Sequence, residues 1–234
     1  MPGSSFGEYL TVSTFGESHG AAVGVVVDGV PPGLALTVED IQRDLDRRRP
    51  GQSGVTSARR EFDRAELLSG LFEGRTTGTP VAIVIRNEEH RSSDYERFHD
   101  AFRPGHADWT YQAKYGIRDW RGGGRSSGRE TAARVAAGAV ARAILAGRGV
   151  TVTGYALEIA GIRAARVDLA EIERNPVRSP DPEAARLMER AIEEAKGQGD
   201  SVGGVVELVA EGVPAGLGDP VFDKLEALLA HAAL

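Results

Sequence analysis

Short apolar runs alternate along the chain with segments that have one apolar helical face. Residues 23–27 are β-branched and end at an Asp-Gly turn, and residues 81–85 form a second apolar run, so both are predicted to be buried strands. Residues 150–157 and 203–210 also have strand-like patterns. Because strands and helices mix without strict alternation, the pattern favours an α+β fold with largely antiparallel sheets over a doubly wound fold.

Cap residues mark the beginnings of three helices. Thr37 and Asp40 form a capping box in front of an amphipathic segment. Asp-Pro pairs at 181–182 and 219–220 combine a cap with proline at the first helical position. We therefore expect a helix to begin at each of these three places.

Composition narrows the class of protein. The chain has 234 residues, 41% hydrophobic and 26% charged, which is ordinary for a globular protein, and one domain is expected over residues 1–234. The absence of cysteine excludes a disulfide framework, a thiolate zinc site and a cysteine nucleophile. A net charge of −6 does not indicate a nucleic-acid or membrane surface. The apolar runs are too short to cross a bilayer and residues 1–10 contain no targeting signal, so a soluble cytoplasmic protein is expected.

The charge is distributed unevenly. Residues 41–64 contain seven arginines against four acids, and residues 101–134 contain seven basic residues against three acids. An acidic protein that keeps two arginine-rich segments is expected to use them on an anion.

The glycine-rich loop 121–129 precedes an alanine-rich helix predicted over 130–146. Its glycines let the backbone approach a ligand, Arg125 adds charge, and Ser126 or Ser127 can cap the helix. Free N–H groups at a helix N-terminus favour an anion. A flexible turn with solvated arginines and an RNA contact are alternatives; the negative net charge and the lack of repeated RGG units weaken the RNA reading.

Two histidines lie in glycine-containing turns, His19 in the segment GESHG and His106 in RPGHAD. One such histidine is more often structural, but two favour a shared pocket for acid–base chemistry. His90 and His99 have charged neighbours and are expected at the surface, and no histidine spacing indicates a metal site. With the arginines and no evident nucleophile, these residues indicate proton transfer or elimination on an anionic, phosphorylated small molecule.

The same motifs resemble the chorismate synthase family, in family order over nearly the whole chain. The segments that carry the resemblance are FGESHG, DGVPPG, DLDRRRPGQ, SGLFEGRTTGTP, FRPGHAD, YGIRDWRGGGRSSGRETAARVAAGA, GDSVGG and VPAGLGDPVFDKL. The resemblance implies a lyase that makes chorismate from 5-enolpyruvylshikimate 3-phosphate by 1,4-elimination of phosphate, the last step of the shikimate pathway. It also implies a requirement for reduced FMN, with NADPH or a separate flavin reductase as the source of reducing equivalents. A homotetramer and a β-α-β sandwich, with sheets around helices, are implied as well.

The resemblance also assigns roles to residues of this sequence. His19 would donate a proton near the leaving phosphate, and His106 would stabilise or protonate the reduced flavin. The phosphate and carboxylates of the substrate would be bound by Arg48, Arg103 and Arg129, because a guanidinium pairs two oxygens at once. FMN would be bound by Arg125, Ser126 and Ser127.

Two features depart from the family pattern. Gly54 stands where the family usually has an arginine that faces the substrate. Arg59 or Arg60 could compensate, but both match a separate stretch of the family pattern. The chain stops at Leu234, so roughly the final third of a family chain is expected to be absent, with further FMN contacts and an Arg-His-Asp segment. A catalytically impaired form that keeps only the fold and an anion- or flavin-binding site is therefore the alternative.

Overall fold

The computed structural model describes residues 3–56, 61–88 and 92–234. The chain divides into two compact units, the first made of Met1–Arg49, Arg60–Arg148 and Pro214–Leu234 and the second of Pro50–Arg59 and Gly149–Val213. The helices are α1 (Val38–Arg48), α2 (Asp108–Tyr115), α3 (Thr131–Ala146), α4 (Pro182–Gly197) and α5 (Leu225–Ala233). The strands are β1 (Ser5–Phe6), β2 (Thr11–Gly16), β3 (Ala22–Asp28), β4 (Ala65–Ser69), β5 (Leu71–Phe72), β6 (Arg75–Thr76), β7 (Val81–Arg86), β8 (Thr151–Ile159), β9 (Ile162–Arg163) and β10 (Gly204–Glu211).

An antiparallel sheet of five strands, in the order β1-β2-β3-β7-β4, forms the frame of the first unit. β3 lies at its centre, and Val23, Val25 and Val27 on one face of β3 are fully buried. Alternate residues of a strand point to the same face, so these valines form the floor of the core. Both predicted buried strands are confirmed, as β3 and β7.

α1 and α3 pack against each other and against this sheet. α1 contributes Ile41 and Leu45 to the core, and α3 contributes mainly alanines, of which Ala133 and Ala136 are fully buried. Because alanine adds little volume, α3 can lie close to both α1 and β3. The packing brings Arg129, just before α3, to the ends of α1 and β7.

Two of the three predicted helix starts are confirmed and one is wrong. The capping box at α1 is present, since Asp40 N–H donates to Thr37 Oγ1 (3.3 Å) and Thr37 N–H donates to Asp40 Oδ2 (3.0 Å). Asp181 caps α4 by accepting the Glu183 N–H (3.0 Å). No helix begins at 219–220, because Asp219 N–H donates to the carbonyl of Asp223 (2.7 Å) and this bridge closes a loop; α5 begins at Leu225 instead.

The start of α3 also differs from the prediction. Neither serine caps it: Ser127 Oγ accepts the Arg129 N–H (3.3 Å) and so caps a single 3₁₀ turn, Gly128–Glu130, that leads directly into the helix. Ser126 Oγ donates to the carbonyl of Gly123 (2.7 Å) and stabilises the loop itself.

The second unit is a three-stranded antiparallel sheet, in the order β10-β8-β9, with α4 beside it. Met188 of α4 is fully buried and packs with Val177 and Ala185. Both predicted strands of this unit are confirmed, as β8 and β10. The α+β class with antiparallel sheets is therefore confirmed. Within the ranges described above, no helix is both long enough and apolar enough to cross a membrane.

Candidate active site

Two consecutive glycines of the loop, Gly122 and Gly123, lie against the two histidines that the sequence indicated. Their φ angles are 60° and 91°, in the region that favours glycine. A Cβ atom at Gly122 would collide with the imidazole of His19, and one at Gly123 would collide with the imidazole of His106. The structure therefore brings both histidines to one glycine dipeptide, where no larger residue fits.

His19 lies in the tight turn between β2 and β3 and is 7% exposed. Gly20 N–H donates to the carbonyl of Glu17 (3.1 Å) and closes this turn. The imidazole packs edge-on against the ring of Tyr95, with centroids 5.0 Å apart. Ser18 is 1% exposed, and its Oγ, beside Gly122, has no hydrogen-bond partner among the described residues. A buried hydroxyl without a partner next to a histidine is available to a bound ligand.

His106 is held by its own turn and by Arg103. Its Nδ1 accepts the N–H of Ala107 (3.0 Å) and lies 3.4 Å from Nη2 of Arg103. The carboxylate of Asp108 is 3.3 Å from the same nitrogen. Nδ1 thus faces the Ala107 N–H, Arg103 and Asp108, and Nε2 is the nitrogen beside Gly123.

Asp108 orients Arg103. Arg103 donates from Nε (2.9 Å) and Nη2 (2.7 Å) to the two carboxylate oxygens of Asp108, so the two side chains form a bidentate ion pair. The backbone N–H of Arg103 also donates to Asp108 Oδ2 (3.1 Å). The hydrogen bonds from Arg103 hold the pKa of the buried Asp108 carboxyl well below its usual range, against the opposing effect of burial. The same contact raises the pKa of Arg103, so both groups stay charged near neutral pH.

Arg48 and Arg129 share one buried carboxylate, Asp63. Arg48 donates to Asp63 Oδ2 (2.9 Å) and also to the Gly128 carbonyl (2.9 Å), and Nη1 of Arg129 donates to Asp63 Oδ1. Arg129 also lies 3.5 Å from the carboxylate of Glu61. Its side chain is 3% exposed, whereas that of Arg48 is 21% exposed. Of these two predicted anion ligands, Arg48 therefore presents the more accessible guanidinium.

The predicted cofactor-binding residues hold the loop in place. Arg125 donates to the carbonyl of Gly16 (3.1 Å) and to Oγ1 of Thr14 (2.6 Å), which fastens the loop to β2. Ser126 Oγ donates within the loop. Ser127 Oγ accepts an N–H and so keeps its own proton for another acceptor.

A cleft of about 730 Å³ opens beside this loop. Its lining includes the aromatic residues Tyr111, Tyr115 and Trp120 and the polar residues Arg118, Arg121, Arg125 and Ser126. Cofactor sites have this range of volume and combine apolar walls with a few polar groups. The cleft therefore combines aromatic side chains with cationic and hydroxyl groups, and the acids Glu17, Asp108 and Asp119 line it as well.

Acidic side chains balance the arginines at this cleft. Asp119 accepts from Arg121 at Nε (2.8 Å) and Nη2 (3.0 Å). Burial acts to raise the pKa of Asp119, but the hydrogen bonds from Arg121 and the nearby His19 outweigh it, so the pKa is lowered. Arg118 donates from Nη2 to the carbonyls of Phe98 (2.6 Å), His99 (2.9 Å) and Ala101 (3.0 Å). It thus fixes the segment that leads to Arg103.

Other residues that the sequence singled out are exposed or lie outside the described residues. The His99 side chain is 61% exposed, as expected for a surface residue. His90, Arg59 and Arg60 lie outside the described residues. Gly54 is exposed, with open space where a side chain would project. Among the described His, Asp and Glu residues, no group of three could hold a metal ion.

Comparison with known proteins follows this geometry. The sequence profile described as chorismate synthase matches residues 10–234. The chain belongs to the chorismate synthase family. A chorismate synthase of Syntrophobacter fumaroxidans is 61% identical over 234 residues, which cover 100% of this chain and 66% of the relative. One of Chloroflexus aurantiacus is 59% identical over 232 residues, which cover 99% of this chain and 64% of the relative.

A crystal structure of chorismate synthase has the same fold, with a TM-score of 0.72 and 33% identity over 91% of this chain and 61% of that one. The chain spans about two thirds of the length of the curated relatives that it matches. The resemblance found in the sequence is thus confirmed, and every predicted site residue lies within the matched range.

Sequence reasoning missed several residues of this chorismate synthase-like site. Ser18 stood inside GESHG, and its position beside a histidine could have indicated it. Glu61 and Asp63 are buried acids at alternate positions before β4. Buried carboxylates need cationic partners, so this pattern predicts arginines beside them. Asn87, directly after β7, had no sequence signal, because its role depends on contacts with residues 17–21.

Proposed function

We propose that this chain forms the substrate-binding and proton-transfer part of a chorismate synthase. The reaction is the 1,4-elimination of phosphate from 5-enolpyruvylshikimate 3-phosphate, which gives chorismate. The observation that carries the proposal is the placement of His19 and His106 against Gly122 and Gly123, next to the arginine–carboxylate networks, in a chain of this family.

His19 would donate a proton to the leaving phosphate. Its burial favours this role, because removal of water strengthens the interaction between an imidazole and an anion. Ser18 Oγ lies beside Gly122, as His19 does, and would bind the phosphate or transfer the proton to it. Arg48 and Arg103, whose side chains are 21% and 14% exposed, would bind the phosphate and carboxylates. Arg129 would contribute positive charge to the same anion site, because it and Arg48 are both bound to Asp63.

Reduced FMN would bind in the cleft beside the loop, held by Arg125 and Ser126, which line the cleft, and by Ser127, which follows them in the chain. When bound, reduced FMN supplies electron density and a site that accepts the ring proton of the substrate. His106 would present its Nε2 beside Gly123 and so stabilise the reduced form. The aromatic walls of the cleft would exclude water from the ring.

The family relationship alone supports the wider parts of the proposal. These are one chorismate synthase-like domain, a homotetramer, a cytoplasmic location, and NADPH or a separate flavin reductase as the source of reducing equivalents. The RNA alternative loses support, because Arg121 is paired with Asp119 and Arg125 with β2.

The second candidate is a catalytically impaired form that binds an anion or flavin weakly. It is favoured by one observation, that the chain spans about two thirds of its relatives. Anaerobic turnover with reduced FMN tests both candidates, with this chain alone and with the chain extended by the part of a relative that lies beyond the match. Turnover by the extended form only would support the impaired form for this chain.

His106→Ala in an active form is expected to lower kcat by at least about a hundredfold, as for a positioned acid–base group. His231→Ala, which changes an exposed histidine that does not line the cleft, serves as the matched control and should leave kcat unchanged. An unchanged rate in His106→Ala would remove this residue from the mechanism.

A further inference from the structure

Asn87 holds the turn that carries His19. Its Nδ2 donates one hydrogen bond to the carbonyl of Glu17 (2.8 Å) and a second to the carbonyl of Gly20 (2.7 Å). Its backbone N–H donates to the carbonyl of Ala21 (3.2 Å), which continues the pairing of β7 with β3. Three hydrogen bonds therefore connect one residue to both ends of the five-residue segment 17–21.

The same side chain contacts the predicted anion-binding network. Arg129 Nε donates to Asn87 Oδ1 (2.9 Å), and the other end of this guanidinium donates to Asp63, which also accepts from Arg48. The amide group of Asn87 is thus fully used: both N–H donors face the His19 turn and the oxygen faces Arg129. No other residue type offers two donors and one acceptor in this planar arrangement at this length.

We propose that Asn87 is a positioning residue that sets the place of His19 relative to Arg129 and, through Asp63, relative to Arg48. The proposal rests on the proposed function for its kinetic consequence, but not for its structural one. Movement of an acid group by about 1 Å can cost on the order of a hundredfold in rate. An amide that fixes the distance between a proton donor and an anion site therefore affects kcat more than substrate affinity.

Asn87→Asp is the substitution that removes the hydrogen bonds to the His19 turn and keeps the one from Arg129. It keeps the shape and the oxygen that accepts from Arg129, but it replaces both N–H donors by an oxygen facing two carbonyl oxygens. Asn175→Asp is the matched control, because Asn175 Nδ2 also donates to two carbonyls, those of Glu171 (2.9 Å) and Ser179 (2.8 Å), within the second unit.

Two measurements are made on the whole chain. The first is amide hydrogen exchange at Gly20, whose N–H donates to the carbonyl that Asn87 holds; Asn87→Asp should speed it by about tenfold or more and Asn175→Asp should not. The second is kinetic: kcat should fall by about tenfold or more, while KM changes by less than about threefold. Unchanged exchange at Gly20, or an equal effect of the control, overturns the proposal.

A double-mutant cycle with His19→Ala tests whether Asn87 acts through His19. In that background Asn87→Asp should lower kcat no further, whereas additive losses would overturn the positioning role. If the unsubstituted chain shows no turnover, the proposed function fails for this chain, and exchange at Gly20 still decides the inference. If Asn87→Asp does not fold, Asn87→Ala removes both side-chain donors without adding charge, together with the oxygen that accepts from Arg129, and exchange at Gly20 is measured in the same way.

Discussion

Asp63 provides the most direct test of the charge network around the site. Its side chain is fully buried and accepts from Arg48 and Arg129. Its φ angle is 47°, in the left-handed region that asparagine tolerates as well as aspartate does. Asp63→Asn therefore removes the negative charge without adding backbone strain, which an alanine would add.

The expected cost follows from the partners that remain. Removal of one partner from a buried ion pair costs about 3–5 kcal/mol. Here Arg129 keeps the Glu61 carboxylate at 3.5 Å, and Arg48 keeps the Gly128 carbonyl at 2.9 Å. We therefore place the loss of unfolding free energy at the lower end, about 3 kcal/mol. With a urea m-value of about 2 kcal/mol per molar, the midpoint should fall by about 1.5 M.

Tryptophan fluorescence during urea unfolding measures this loss, because it reports on the compact unit that contains Asp63. The two tryptophans of the sequence, Trp109 and Trp120, both belong to the first unit, as Asp63 does. Asp100→Asn is the control, because this side chain is 94% exposed and its change should cost less than about 0.5 kcal/mol. A midpoint shift in Asp63→Asn no larger than that of the control would refute the reasoning.

Gly123→Ala should lower the free energy of unfolding by about 2 kcal/mol more than Gly105→Ala does, and it should remove most turnover. Both glycines have positive φ (91° and 72°), but a Cβ at position 123 would collide with His106, whereas no described atom lies near a Cβ at position 105. Equal losses in urea unfolding would contradict a clash. Asp108→Asn should cost about 1–3 kcal/mol at pH 7. Because the pKa of Asp108 is lowered on folding, this carboxyl stabilises the protein above its ordinary pKa of 3.8, and the difference from wild type should narrow as the pH falls below that value. A difference that stays constant from pH 7 to pH 2 in urea titrations would be the wrong result. Gly54→Arg should change the free energy of unfolding by less than about 0.5 kcal/mol, measured by circular dichroism during heating, because no described atom lies near the position of its Cβ; a larger loss would contradict this.

Features that depend on neighbouring residues could be predicted from the sequence. The buried strands β3 and β7 follow from runs of β-branched residues, and the start of α1 follows from a capping box that spans only Thr37 to Asp40. The family also followed from sequence, because its motifs are short and contiguous. The helix predicted at 219–220 shows the limit, since a bridge from Asp219 to Asp223 replaced the first helical turn.

The contacts between the chemical groups of the site depend on the tertiary fold. Asp63 and Arg129 are 66 positions apart in the sequence, and Asn87 lies 70 positions from Glu17. No local pattern predicts such pairs, because the folding of the sheet and the packing of α3, rather than any preference of neighbouring residues, bring them within hydrogen-bond distance. For the same reason the sequence indicated that the loop glycines approach something, but only the fold revealed that Gly122 and Gly123 lie against His19 and His106.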